Sequence, residues 1–154
     1  MRLGIISDTH GYLDPRVLDL FAGVDRILHA GDIGFPSLIL ELEGVAPVTA
    51  VLGNTDHGLD FPLTEVVVVE GMKVLVHHIV DVSDPERSIG ERFRRSRPDL
   101  VVFGHSHQRF HEERSGVIFL NPGYAGKPRF NQPRSVVTAV VQAGRPPAVI
   151  YHPL

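Results

Sequence analysis

Five times before residue 108, a short apolar run stops at a polar side chain able to bind a cation. Arg2–Ser7 runs into Asp8-Thr9-His10, and Asp25–His29 runs into Gly31-Asp32. Pro47–Leu52 ends in Gly53-Asn54-Thr55-Asp56, Lys73–Val76 in His77-His78, and Leu100–Phe103 in Gly104-His105-Ser106-His107. Short apolar runs bounded in this way read as buried strands. Asp14–Phe21 and Pro36–Leu42 lie between the first three and carry helical patterns, the former with Asp14 as cap and Pro15 in the first turn. Leu63–Val69, Glu70-Gly71-Met72 and Lys73–His78 predict a hairpin. Asp84-Pro85-Glu86 opens a helix expected to run to about Arg97, where Pro98 stops it. Arg109–Glu113, Val117–Leu120, Ser135–Gln142 and Ala148–Tyr151 are expected as later strands. Alternating strands and helices followed by hairpins predict an α/β sandwich with a mixed sheet.

Composition removes several classes of function. The 154 residues contain no cysteine, which excludes disulfides, thiolate metal sites and cysteine nucleophiles. Absent cysteine fits a cytoplasmic location. No apolar run approaches the roughly 18 residues of a membrane span, and Met1–Ile6 reads as a first strand, not a leader. A net charge of −3 gives no broad attraction to nucleic acid, and no dedicated nucleic-acid module is visible. The length fits one domain spanning 1–154, with no repeat or linker.

The strand-end residues share one chemistry. Asp8 and His10, two residues apart, can chelate an ion from a tight turn. Asp32 follows a glycine that lets the backbone turn, and Asn54 offers a neutral carbonyl oxygen. In open α/β sheets, ligands collect beyond the carboxyl ends of strands, which is where all five motifs fall. One such motif arises easily by chance; five in succession do not.

The order Asp8-X-His10, Gly31-Asp32, Gly53-Asn54, His78, Gly104-His105-X-His107 resembles the calcineurin-like metallophosphoesterase superfamily. The short chain and Asn121-Pro122-Gly123 are similar to its small YfcE-type phosphodiesterase branch, which also includes the retromer subunit Vps29. The resemblance implies a four-layer α/β/β/α sandwich of two mixed sheets flanked by helices. It implies that Asp8, His10, Asp32 and His107 hold one divalent ion. Asp32, Asn54, His78 and His105 would hold a second, with Asp32 bridging. Asn54, His78 and His105 would take part in catalysis, and Asn54 and Tyr124 would meet substrate. Oxygen and nitrogen donors without sulfur suit Mn²⁺ first, then Ni²⁺, Fe²⁺ or Zn²⁺. Two such ions bring +4 and the two aspartates return −2, so the site attracts a phosphate ester. A hydroxide between the ions would attack phosphorus. Small phosphodiesters or phosphomonoesters are the expected substrates; a homo-oligomer is compatible with the chain.

Three departures qualify the resemblance. Thr55 stands where many superfamily members have a histidine that protonates the leaving group, and neighbouring Asp56 or His57 is left as a substitute. Ile79 and Val80 replace the last two residues of His-Gly-His, and a one-residue slip would promote His77 over His78. Tyr124 replaces a serine, either walling the site and stacking on a ring or filling a loop. His29 is expected beneath the site, and His57, His111 and His152 lack partners in the pattern. Arg92, Arg94, Arg95 and Arg97 read as a solvated helix face. A rival class is a Vps29-like protein-interaction module with vestigial metal sites.

Overall fold

The computed structural model describes residues 1–154. Its chain order is β1 (Arg2–Ile6), α1 (Arg16–Leu20), β2 (Arg26–His29), α2 (Pro36–Glu43), β3 (Val48–Ala50), β4 (Thr64–Val69) and β5 (Met72–His77). Then follow α3 (Pro85–Ile89), α4 (Glu91–Ser96), β6 (Leu100–Val102), β7 (Arg109–Arg114), β8 (Val117–Pro122), β9 (Ser135–Val140) and β10 (Ala148–Pro153). One sheet has the order β10-β9-β1-β2-β3 and the other β4-β5-β6-β8-β7. In the first, β1, β2 and β3 are parallel while β9 and β10 are antiparallel. In the second, β5, β6 and β8 are parallel, with antiparallel β4 and β7 at the edges.

Strand periodicity places the layers. Leu3, Ile5 and Leu28 of the first sheet and Val74, Val76, Val102 and Leu120 of the second share one core between the sheets. Their neighbours Ile6 and Ile27 point the other way, onto Val17, Phe21, Leu38 and Leu42 of the helical side. Leu75, Val101 and Phe119 form the outer face of the second sheet with Ile89 and Phe93. A strand buried on both faces needs a continuous apolar run, which is why these segments read without alternation. The result is the four-layer α/β/β/α sandwich.

The hairpins follow their turn residues. Glu70-Gly71 joins β4 to β5 and Ser115-Gly116 joins β7 to β8, with all four residues at positive φ. Two-residue turns of that hand match the twist of paired strands.

The helix expected from Pro85 to Arg97 is two short helices. Asp84 caps the first through the Arg87 backbone N–H at 3.2 Å, as expected, but Gly90 at φ 90° and ψ −164° breaks the path. Arg97 then ends the second in a left-handed conformation before Pro98. The arginines of this segment meet Glu86 and Glu91 at 3.3 and 3.0 Å on the exposed face. No helix is long and apolar enough to cross a membrane.

Candidate metal centre

All five motifs converge at one edge of the sandwich. Asp8 and His10 follow β1, Asp32 follows β2, Asn54 follows β3, His78 follows β5, and His105 and His107 follow β6. These strands are parallel within their sheets, so their carboxyl ends open on the same side. Five of the nine non-glycine residues with positive φ are in this set: Asp8, His10, Asp32, His105 and His107. Such backbone costs of order 1 kcal/mol each or more and persists only where the surroundings enforce it.

Close backbone approach explains the glycines in two motifs. A Cβ on Gly53 would stand 2.1 Å from Asp32 Oδ1, and one on Gly104 would stand 2.0 Å from Ser7 Oγ. Only glycine lets the loops after β3 and β6 fold over the two carboxylates.

The donor atoms face one another at close range. Asp8 is fully buried, and its Oδ2 accepts from Ser7 Oγ at 2.7 Å and the His105 backbone N–H at 3.1 Å. Its Oδ1 is also buried and has no hydrogen bond. Around that oxygen lie Nε2 of His107 at 3.3 Å and Nε2 of His10 and His78 at 3.9 Å each. His78 gives its Nδ1 hydrogen to the Ala30 carbonyl at 2.7 Å, so its Nε2 carries the lone pair when neutral. That lone pair faces two further acceptors, Asn54 Oδ1 at 3.1 Å and Asp32 Oδ2 at 3.2 Å. His105 Nδ1 lies 3.0 Å from the same Asn54 oxygen, and the Nε2 atoms of His10 and His107 are 3.4 Å apart. Donors about 2.1 Å from one ion stand roughly 3.4 Å from each other in a tetrahedral arrangement. The spacings fit cations; without one, His78 Nε2 needs an added proton to meet its two acceptors.

The electrostatics agree. Burial opposes the charged form of His78, but the Asp32 hydrogen bond and the charge of Asp8 outweigh it and raise its pKa. Burial likewise opposes ionisation of Asp32, yet hydrogen bonds from His78 and Thr55 hold its carboxyl well below the usual range. A proton on His78 thus occupies the place a metal ion would take.

Two donor triads emerge, Asp8-His10-His107 and Asp8-Asp32-His78, with Asp8 common to both. Asp32 Oδ2 also faces both sides, 3.2 Å from His78 and 3.7 Å from His10. His77 turns away, and its Nδ1 lies 2.8 Å from Thr64 Oγ1 across the hairpin. His78 is therefore the member of the pair that enters the cluster.

Three residues beneath the site hold the loops in place. Asp56 is not free to act on a leaving group. Its oxygens accept the backbone N–H groups of Ile33, Gly34 and Gly53 at 3.1, 3.0 and 2.8 Å, lashing the loop after β2 to the loop after β3. Asn121 donates to the Gly104 carbonyl at 2.9 Å and Ser106 Oγ at 3.1 Å, which holds the turn bearing His105 and His107. His29 lies where expected. Its Nδ1 accepts from Gly31 N–H at 3.2 Å, and its Nε2 is 2.9 Å from Thr9 Oγ1. Full burial lowers its pKa to about 4, so it stays neutral and props both turns.

Tyr124 corrects the expectation of a substrate contact. It is wholly buried, stacks on the His107 ring at 4.7 Å with a 28° tilt, and donates its hydroxyl hydrogen to the Lys127 carbonyl at 3.0 Å. Arg129 lies over the same ring at 5.0 Å. With its ring enclosed, Tyr124 fixes His107 and has no surface to offer a substrate. Residues that orient a ligand typically contribute about 10- to 100-fold to metal affinity. Tyr124→Ala should therefore weaken metal binding by about tenfold or more. Tyr124→Phe should bind nearly as the parent does; calorimetric titration of both variants with Zn²⁺ checks this.

A cluster of carboxylates and imidazoles at the strand ends of an α/β/β/α sandwich defines the class of metal-dependent phosphoesterases. The family model for the calcineurin-like phosphoesterase superfamily domain matches residues 1–144, and the chain belongs to that superfamily. It is 34% identical over 148 residues to a protein of Methanothermobacter thermautotrophicus named "Probable metallophosphoesterase", covering 91% of this chain and 86% of that one. It is 31% identical over 161 residues to the phosphodiesterase YfcE of Escherichia coli K12, covering 88% and 85%. Zinc-complexed wild-type Vps29 of Entamoeba histolytica shares the fold, with a TM-score of 0.78 over 99% of both chains at 20% identity.

Proposed function

We propose that this chain is a phosphodiesterase with two divalent ions, Mn²⁺ in preference to Ni²⁺, Fe²⁺ or Zn²⁺, held by Asp8, His10, Asp32, Asn54, His78, His105 and His107. One observation carries the reading: a buried carboxylate oxygen of Asp8 without a hydrogen bond, ringed by three imidazole nitrogens. When bound, the ions supply Lewis acidity and lower the pKa of coordinated water to about 7. The protein's part is placement. Asp8 and Asp32 cancel part of the ionic charge and leave the site positive enough to draw a phosphate ester. Ser7, Thr55 and the His105 backbone N–H fix the two carboxylates, while Ala30 fixes His78 in the tautomer that presents Nε2. His105 and Asn54 sit at the exposed rim of the cluster, where they meet the substrate's oxygens.

Thr55 shapes the substrate range. Its backbone N–H is committed to Asp32 Oδ1 at 2.9 Å, and Asp56 is spent on backbone groups. Thr55 and Asp56 therefore supply no ready general acid, a device that contributes about 10²- to 10⁴-fold elsewhere. Phosphodiesters whose leaving groups depart as anions are the favoured substrates. A cytoplasmic location belongs to this reading, since a chain without cysteine fits a reducing compartment.

The test is hydrolysis of bis(p-nitrophenyl) phosphate. Addition of Mn²⁺ or Ni²⁺ to chelator-treated protein should restore turnover, and excess chelator should abolish it. No stimulation by Mn²⁺, Ni²⁺, Fe²⁺ or Zn²⁺ would favour the Vps29-like interaction module instead.

A further inference from the structure

A groove of about 530 Å³ opens directly beside the metal cluster, with Asn54 and His78 in its wall. The rest of its lining is largely apolar: Leu52, Leu63, Ile79 and Ile89. Leu63 is 65% exposed and Ile79 42% exposed, so both present apolar surface to solvent beside the polar centre. Two polar side chains on the lining, Ser88 and His77, are already engaged. Ser88 Oγ donates to the Pro85 carbonyl at 3.2 Å and accepts the Asp81 N–H at 3.0 Å, while His77 is paired with Thr64. What the groove offers a ligand is therefore hydrocarbon contact.

The opposite flank differs. On the His107 side lies a cavity of about 540 Å³ lined by Gln108, Arg109, Asn131 and Gln132. A phosphodiester has two arms, and phosphorus at the cluster would send one toward each flank. Ile79 is also the residue that stands where the family pattern has glycine. Its exposed side chain lies in the groove, whereas Val80 packs with the core of Leu75, Ile89 and Phe119. The departure at position 79 thus adds apolar surface at the site.

We propose that the groove formed by Leu52, Leu63, Ile79 and Ile89 binds a hydrocarbon arm of the substrate, so that the natural substrate is a phosphodiester with an alkyl or acyl-chain substituent on one side and a polar group on the other. This rests on the phosphoesterase reading. Asn54 and His78 belong to both the metal cluster and the groove wall, so a phosphorus substituent leaving the cluster on that side enters the groove.

Binding of phosphonates, which cannot be hydrolysed, tests it without the ambiguity of an aromatic leaving group. Zn²⁺-loaded protein should bind octylphosphonate on the order of 10- to 30-fold more tightly than methylphosphonate, since a fully buried methylene gives about fourfold and an open groove less. The ratio should fall to about threefold or lower in the double variant Leu63→Ser, Ile79→Ser. Both positions are solvent-facing, so the fold does not depend on them. In the parent protein, octylphosphonate should shift the methyl resonances of Ile79, Leu63 and Ile89. Equal affinities, a ratio retained in the double variant, or shifts confined to Gln108 and Gln132 would overturn the proposal. Metal-stimulated hydrolysis of bis(p-nitrophenyl) phosphate with a flat phosphonate series would end this inference and leave the phosphoesterase reading standing. No hydrolysis with any metal would end both.

Discussion

Asp8→Asn should lower metal-stimulated hydrolysis by about 10³-fold, equivalent to roughly 4 kcal/mol of lost transition-state stabilisation. The substitution keeps the size of the side chain and one acceptor. That oxygen can still receive the Ser7 hydroxyl and the His105 backbone N–H, now at 2.7 and 3.1 Å from Oδ2. The new amide group would face the Nε2 atoms of His10, His78 and His107, where it can donate a hydrogen but cannot bind a cation. Fold and metal binding are thereby separated. The parent protein at metal concentrations near 1,000 times Kd should gain about 4 kcal/mol of stability, and Asp8→Asn should gain almost none. Paired measurements of initial rate and of Tm with and without Mn²⁺ check both halves. Activity within tenfold of the parent would mean that the orphaned oxygen is not a ligand.

The largest loss of stability should come from a residue outside the site. Asp14 is buried before α1 and accepts from Arg16 Nε at 3.0 Å, an Arg16 terminal nitrogen at 2.7 Å and the Arg16 backbone N–H at 3.0 Å. Its Oδ2 also accepts from Arg134 at 3.1 Å. Arg16 is mostly exposed, so its pair contributes little. Arg134 is buried, donates to the Gly126 carbonyl, and has Asp14 as its counter-ion. Asp14→Ala would strand a buried guanidinium, which costs about 3–5 kcal/mol. For a chain of this size the fall in Tm is roughly 10 °C. The sign with pH is fixed. Arg16, aided by Arg134, holds the Asp14 carboxyl below the ordinary range. Its stabilisation is complete above the unfolded-state value of about 3.9 and is lost as the pH falls further toward the folded-state value. Chemical denaturation from pH 7 down to 2 should show that part of the acid limb missing in Asp14→Ala. Equal slopes below pH 4 would refute the assignment.

That ion pair spans 120 positions in the chain, and nothing local announces it. Asp14 read as a helix cap because Pro15 and an apolar run follow it; Pro15 takes the cap position, Asp14 accepts the Arg16 N–H just outside it, and its buried partner Arg134 is brought by tertiary folding. The strands and the converging ligands were legible because burial on two faces writes continuous apolar runs and abrupt polar ends. The break at Gly90 was less so, since Glu91–Ser96 continues a helical composition and only the glycine's backbone separates the two pieces. The choice between His77 and His78 was open by one residue in sequence and became geometric once β5 ended at His77, pointing His78 at Ala30 and Asn54. Tyr124, Asp56 and Asn121 act on the ligands only through space. Their roles could not be read from spacing.

The left-handed backbone at Asp8, His10, Asp32, His105 and His107 has a consequence for how such a chain can change over generations. Glycine at any of these positions would relieve strain of order 1 kcal/mol in the metal-free protein. At His10, His105 and His107, which are not fully buried, that gain comes without stranding a buried donor, so mutations that dismantle the cluster there also relieve the bare fold. A lineage that had given up the chemistry would be free to collect those gains. All five side chains remain in place. In a vestigial scaffold they would be a standing burden on the fold, one that a bound ion would offset.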